Sequence, residues 1–235
     1  MATHTYIQYQ LLSNLFRYPS EDLRTQTPEC RDLLEMLYPD TLKTFRKFAD
    51  WAMHTPLYEM EEVFTKTFHI QAICYLDLGF VIFGEDYKRG EFLVNMKREQ
   101  QKAGNECGKE LPDNLVNVLT LIPRIADKAL LDELAVMVVI PALKKMMEEF
   151  DASRMELRTK MLRKKHNAVL QEDQKNGNIY RFAIQTLLDV FTSDFRNIPY
   201  HEPEHIHASV MNGAGSATCG TCSFTSKRPT KTVQP

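Results

Sequence analysis

No apolar run in this chain approaches the roughly 18 residues that a membrane-crossing helix needs. Met1 to Gln10 has neither a basic start nor a continuous apolar stretch, so no secretory signal is expected and the protein is read as soluble and cytoplasmic. Cysteine is scarce and scattered. Cys30, Cys74 and Cys107 stand alone and only Cys219 and Cys222 lie close together, a spacing unlike a secreted disulfide framework. Charge of one sign is also lacking: 29 basic against 31 acidic residues leave a net charge of -2, too little to draw the chain to nucleic acid or an anionic membrane. Catalytic signatures are missing as well. The Gly213-Ala214-Gly215 piece lacks the Lys-Ser/Thr ending of a phosphate-binding loop, and neither a Gly-x-Ser-x-Gly elbow nor a His-Glu-x-x-His helix occurs. His69 and His166 are isolated histidines. The expectation is a protein that is not an enzyme.

No stretch alternates with a strand period, whereas apolar residues recur every three or four positions along most of the chain, so the fold class is read as all-α. With 235 residues, 43% of them hydrophobic, and thirteen Phe, nine Tyr and eleven Met, the chain can fill one sizeable core. From Thr5 to Arg17 the residues Ile7, Leu11, Leu12, Leu15 and Phe16 share a face that Pro19 closes. Leu33, Leu34 and Leu37 mark a short second helix ended by Pro39. Thr41 to His54 buries Leu42, Phe45, Phe48 and Ala52, with Trp51 as core or groove wall. Asp127 to Phe150 reads as a long helix kinked at Pro141, or as two helices. Met155 to Leu170 is amphipathic with a basic outer face, and Ile179 to Phe191 turns Phe182, Ala183, Leu187 and Phe191 inward.

The most informative stretch runs from Leu57 to Asn114. Leu57, Met60, Phe64 and Phe68 form one apolar stripe, with Glu59, Glu61 and Glu62 opposite. Ile70 to Phe83 is apolar nearly all round and is expected at the centre of the molecule, ending at the turn Gly84-Glu85-Asp86. Tyr87 to Ala103 follows, with Phe92, Leu93 and Met96 inward and Gly104 as a left-handed cap. Gly90 near its start costs about 1 kcal/mol of helix stability, which suggests close packing against the backbone there. Asp113 after Pro112 reads as a helix cap for Leu115 onward, a plain structural role for this piece.

The residues Leu57-Tyr58-Glu59 through Thr67-Phe68, the turn Phe83-Gly84-Glu85-Asp86 leading into Arg89-Gly90, and above all Glu110-Leu111-Pro112-Asp113-Asn114-Leu115 resemble the NarJ branch of the TorD/DmsD redox-enzyme maturation chaperones. Asn178-Ile179-Tyr180 is similar to that branch too. The chain departs from it at His69, where an acidic residue is frequent, and at Asn114, where many members of the wider family carry histidine. The resemblance covers roughly the first two hundred residues. It implies a single compact helical bundle over residues 1–196. It also implies a chaperone that binds the N-terminal segment of a molybdoenzyme catalytic subunit, a nitrate reductase or close relative, and holds the apoenzyme ready for molybdenum cofactor insertion. No permanently bound cofactor is implied, and the chaperone itself is expected as a monomer or weak homodimer. Carried over from the motif positions, the client-peptide residues are Tyr75, Asp86, Arg89 and Gly90, with Leu111, Pro112, Asp113 and Asn114 shaping the adjacent loop.

Residues 197–235 change character, with Pro, Gly, Ser and Thr dominant, and read as a flexible tail. His201, His205 and His207 cluster there, and Cys219 and Cys222 have the spacing of many zinc or redox sites. A metal- or thiol-dependent protein using these five residues, with Zn held by the tail, is the alternative reading. A nucleic-acid binder working through Arg158 to Lys165 is a third, against which the overall charge balance stands.

Overall fold

The computed structural model describes residues 6–151, Arg154 and 179–198. These residues are helical with connecting turns, and no β-strand occurs among them. The elements are α1 (Gln8–Ser13), continued by a 3-10 turn Asn14–Phe16, α2 (Asp22–Leu37), α3 (Pro39–His54), α4 (Leu57–Phe68) and α5 (Leu78–Phe83). They continue with α6 (Lys88–Lys102), α7 (Leu115–Leu121), α8 (Lys128–Glu133), α9 (Ile140–Glu149) and α10 (Ile179–Asp194).

α3 is the central packing element. Pro39 opens it at a position where the missing N–H costs nothing, and Asp40 lies in the positive first turn. At the far end Arg24 of α2 donates to the carbonyls of Met53 (3.0 Å) and Thr55 (2.7 Å), which a helix C-terminus leaves unpaired. Its inner face of Leu42, Phe45, Phe48, Ala49 and Ala52 is buried between α2 and α10. α10 packs in turn on α9, while α1 lies against α7, and α5 against α6 and α9. Tyr180 of α10 is fully buried among Phe48, Trp51, Phe64 and Phe68, with ring centroids 4.9 to 5.8 Å away. Such edge and tilted contacts add to the area they bury.

Several sequence expectations need correction. Ile7 does not face inward but is 56% exposed; Tyr9 takes the place, its ring 4.4 Å from that of Phe191 and its hydroxyl donating to Asp194 at 2.7 Å. Asp194 also accepts from Gln8 Nε2 (2.9 Å) and Tyr38 Oη (2.8 Å), so this carboxylate joins α1, the α2–α3 corner and α10. The second helix is not short: it begins at Asp22 and passes through Pro28, and its Leu37 is exposed. Pro39 starts the next helix rather than only ending this one. Of the two readings of Asp127 to Phe150, the single long helix holds and the pair of separate helices does not. A π-helical turn, Leu134–Val139, precedes Pro141, and the wider i→i+5 ring accommodates the residue that cannot donate, so the chain stays helical from Lys128 to Glu149. The Met155–Leu170 helix, the Arg158–Lys165 patch and nearly all of the 197–235 tail lie outside the described residues. Ile198, within the boundary region, still packs on the core.

Candidate functional site

The apolar stretch Ile70–Phe83 is only half helical. Ile70 is 66% exposed, and 70–77 forms an irregular segment in which Ala72, Ile73, Cys74 and Leu76 are buried. A tertiary contact keeps it from coiling. Leu115 N–H donates to the carbonyl of Leu76 (2.8 Å) and Leu78 N–H to that of Asp113 (3.0 Å), an isolated antiparallel bridge between Asp77 and Asn114. Backbone groups used this way are not free for a helix. α5 then starts at Leu78 and stops at Gly84, whose φ of +61° favours glycine.

The Glu110–Leu115 piece is held from both sides. Gln100 of α6 donates to the carbonyl of Pro112 (2.9 Å), and Asn117 of α7 to that of Leu111 (2.8 Å). Asn105 closes the network through the Gln100 side chain at 2.6 Å and Thr120 at 3.0 Å. Asn114, not Asp113, caps α7, accepting the Val116 N–H at 3.1 Å. Asp113 is instead fully buried and accepts the N–H of Gly79 at 2.9 Å. The close approach to a glycine expected at Gly90 occurs here. A Cβ at Gly79 would lie 2.7 Å from Asp113 Oδ2 and 2.8 Å from Phe92 Cδ1, whereas at the exposed Gly90 nothing lies within 4 Å.

Burial, and next to it the neighbouring Asp77 carboxylate, push the Asp113 carboxyl up from 3.8 to about 6; the Gly79 N–H and Arg89 pull the other way. A carboxyl with a raised folded pKa favours the folded state when protonated, so its contribution is full below about pH 4 and is lost as pH rises through about 6. Asp113→Asn keeps an acceptor for Gly79 and removes the buried charge. The variant is expected to be about 1–2 kcal/mol more stable than the parent at pH 8, with the advantage gone by pH 4, in urea unfolding at the two pH values. An advantage independent of pH would contradict this account.

A groove of about 420 Å³ opens beside this region, within the range of about 300–1,000 Å³ typical of binding pockets. Its apolar surface comes from Ala72, Ile73, Cys74, Phe80, Val81 and Met146. Tyr75, Lys145, Glu148, Glu149 and Arg154 supply polar groups. Lys145 Nζ donates to the Ile82 carbonyl (3.2 Å), and Arg154 pairs with Glu148 (3.2 Å) and with Glu149.

Of the eight residues carried over from the motif, Tyr75 alone lines the groove. Arg89 stands one layer behind, its guanidinium 5.1 Å from the Phe80 ring and 3.7 Å from Asp77 Oδ2. Asp86 is exposed and accepts the Lys88 N–H (2.9 Å) at the start of α6. Gly90 and Leu111 are on the surface, Pro112 is half-buried, and Asp113 and Asn114 are buried. Sequence reasoning passed over Phe80, Val81, Met146 and the C-terminal end of α9, Lys145 to Glu149; the unbroken apolar run 78–83 is the signal for the first two. His201, His205, His207, Cys219 and Cys222 lie outside the described residues, and among those described no group of three or more His, Cys, Asp or Glu is placed to hold a metal. No described helix is long and apolar enough to cross a membrane. No protein-family model matches the chain, and no curated protein matches it in sequence.

Proposed function

We propose that this protein is a binding module rather than an enzyme: a chaperone that holds the N-terminal segment of a molybdoenzyme catalytic subunit, a nitrate reductase or close relative, while its cofactor is inserted. The observation that carries the reading is the groove, apolar along 72–81 and Met146 and bordered by charges of both signs. An amphipathic helix laid in such a groove buries its apolar face and leaves its polar face to the rim. The motif resemblance supplies the class of client, and the all-helical fold agrees with it. No bond is made or broken by the chaperone in this reading. It works by covering apolar surface that the unfinished apoenzyme would otherwise expose.

Calorimetric titration with a peptide from the N-terminus of a nitrate reductase catalytic subunit of the same organism, against a scrambled control, tests the reading. Saturable binding at about micromolar affinity, near -8 kcal/mol, is expected for the native peptide alone. Val81→Asp places a charge on the apolar wall and is expected to weaken binding at least about tenfold. Equal binding of both peptides, or none to protein shown folded by circular dichroism, would sink the proposal. Full affinity in Val81→Asp would place the peptide elsewhere.

A further inference from the structure

Four contacts link the Glu110–Leu115 piece to the groove in one line. Asn114 Nδ2 donates to Asp77 Oδ1 (3.3 Å), and Asp77 Oδ2 faces Arg89 Nη2 (3.7 Å). The Arg89 guanidinium lies over the Phe80 ring (5.1 Å), and Phe80 meets Tyr75 edge-on, with centroids 4.6 Å apart and planes at 75°. Phe80 and Tyr75 line the groove, but Arg89 and Asp77 do not.

The ion pair alone does not account for Arg89. Its separation from Asp77 exceeds the ~2.7–2.9 Å of a charge-assisted hydrogen bond, and its Nε is buried with no hydrogen-bond partner among the described residues. The ring contact is within the ~6 Å at which a cation is attracted to an aromatic face. Arg89 is thus set to hold a ring. We propose that Arg89, held by Asp77, is a positioning residue that fixes Phe80 against Tyr75, and that this aromatic corner selects an uncharged, bulky apolar side chain of the partner helix. The inference rests on the peptide-binding reading above. A partner cation gains little at the corner because Arg89 already lies on the Phe80 ring, and the groove charges balance, Lys145 and Arg154 against Glu148 and Glu149.

The test combines the peptide titration with NMR of the Tyr75 and Phe80 ring signals in the absence of peptide. Phe80→Leu is expected to weaken binding about tenfold, and Arg89→Leu comparably, with displaced Tyr75 ring signals in the free protein. Arg89→Lys, which keeps a cation over the ring, is expected to recover most of the affinity and the parent ring signals. Circular dichroism confirms that each variant is folded. Weakened binding in Arg89→Leu with unmoved ring signals would mean that Arg89 touches the partner itself and would overturn the inference, as would unchanged binding. Absence of binding to the parent protein is a separate result: it removes the chaperone reading, and this inference with it.

Discussion

Gly79→Ala should destabilise the protein by about 3 kcal/mol in urea unfolding, although alanine is the better helix former by about 1 kcal/mol. The added methyl would meet Asp113 Oδ2 at 2.7 Å and Phe92 Cδ1 at 2.8 Å, and both residues are fully buried. Neither can retreat cheaply. Asp113 moves away only by giving up the Gly79 N–H, and Phe92 is packed against Phe83. Overpacking of about 1–3 kcal/mol and a charged hydrogen bond of about 1.5–3 kcal/mol outweigh the gain in helix propensity. Gly90→Ala is the control, since it makes the same chemical change on an open helix surface and is expected to stabilise by up to about 1 kcal/mol. Equal effects at the two glycines would refute the packing argument.

The second large effect is expected from Asp194→Ala, at about 3–4 kcal/mol. The carboxylate accepts from Gln8, Tyr9 and Tyr38, and its removal strands the Tyr9 hydroxyl in a fully buried position. An orphaned buried donor costs more than the net value of the bond it has lost, and three donors sharing one acceptor are coupled, so the losses do not sum simply. Burial first, and Asp194 next, hold the Tyr9 phenol well above its ordinary pKa, so it stays a neutral donor throughout the working pH range. Tyr9→Phe, which removes one donor and leaves the others paired, is expected to cost about 1 kcal/mol. A loss below about 1 kcal/mol for Asp194→Ala would show that solvent replaces the carboxylate.

Local periodicity reads α3, α4, α6 and α10 well, because each buries a stripe of large apolar side chains against the core. It fails where burial uses other residue types. The first turns of α2 bury Leu23, Thr27 and Cys30, and a stripe built from threonine and cysteine leaves little hydrophobic signal. It fails again where distant chain intervenes: Ile70–Asp77 is apolar enough for a helix, yet its backbone pairs with Asp113–Leu115. The two glycines show the same limit. Local propensity makes Gly90 the suspicious one, but only the folded chain brings Asp113 and Phe92 to Gly79. Of the eight motif-derived residues only Tyr75 lies on the groove. Phe80 and Met146 became visible as its walls only once α5 and α9 had been brought together, a contact between segments more than fifty residues apart.

The placing of Tyr180 also bears on how the chain is made. The rings around it, Phe48, Trp51, Phe64 and Phe68, are all synthesised long before it, and α3 has no α10 to cover it in the meantime. At about 5–20 residues per second, the ribosome leaves that aromatic pocket without its central ring for roughly 6–20 s. A nascent chain arrested before residue 180 should therefore expose apolar surface and bind hydrophobic dyes, and release past Asp194 should quench the signal as the last helix docks.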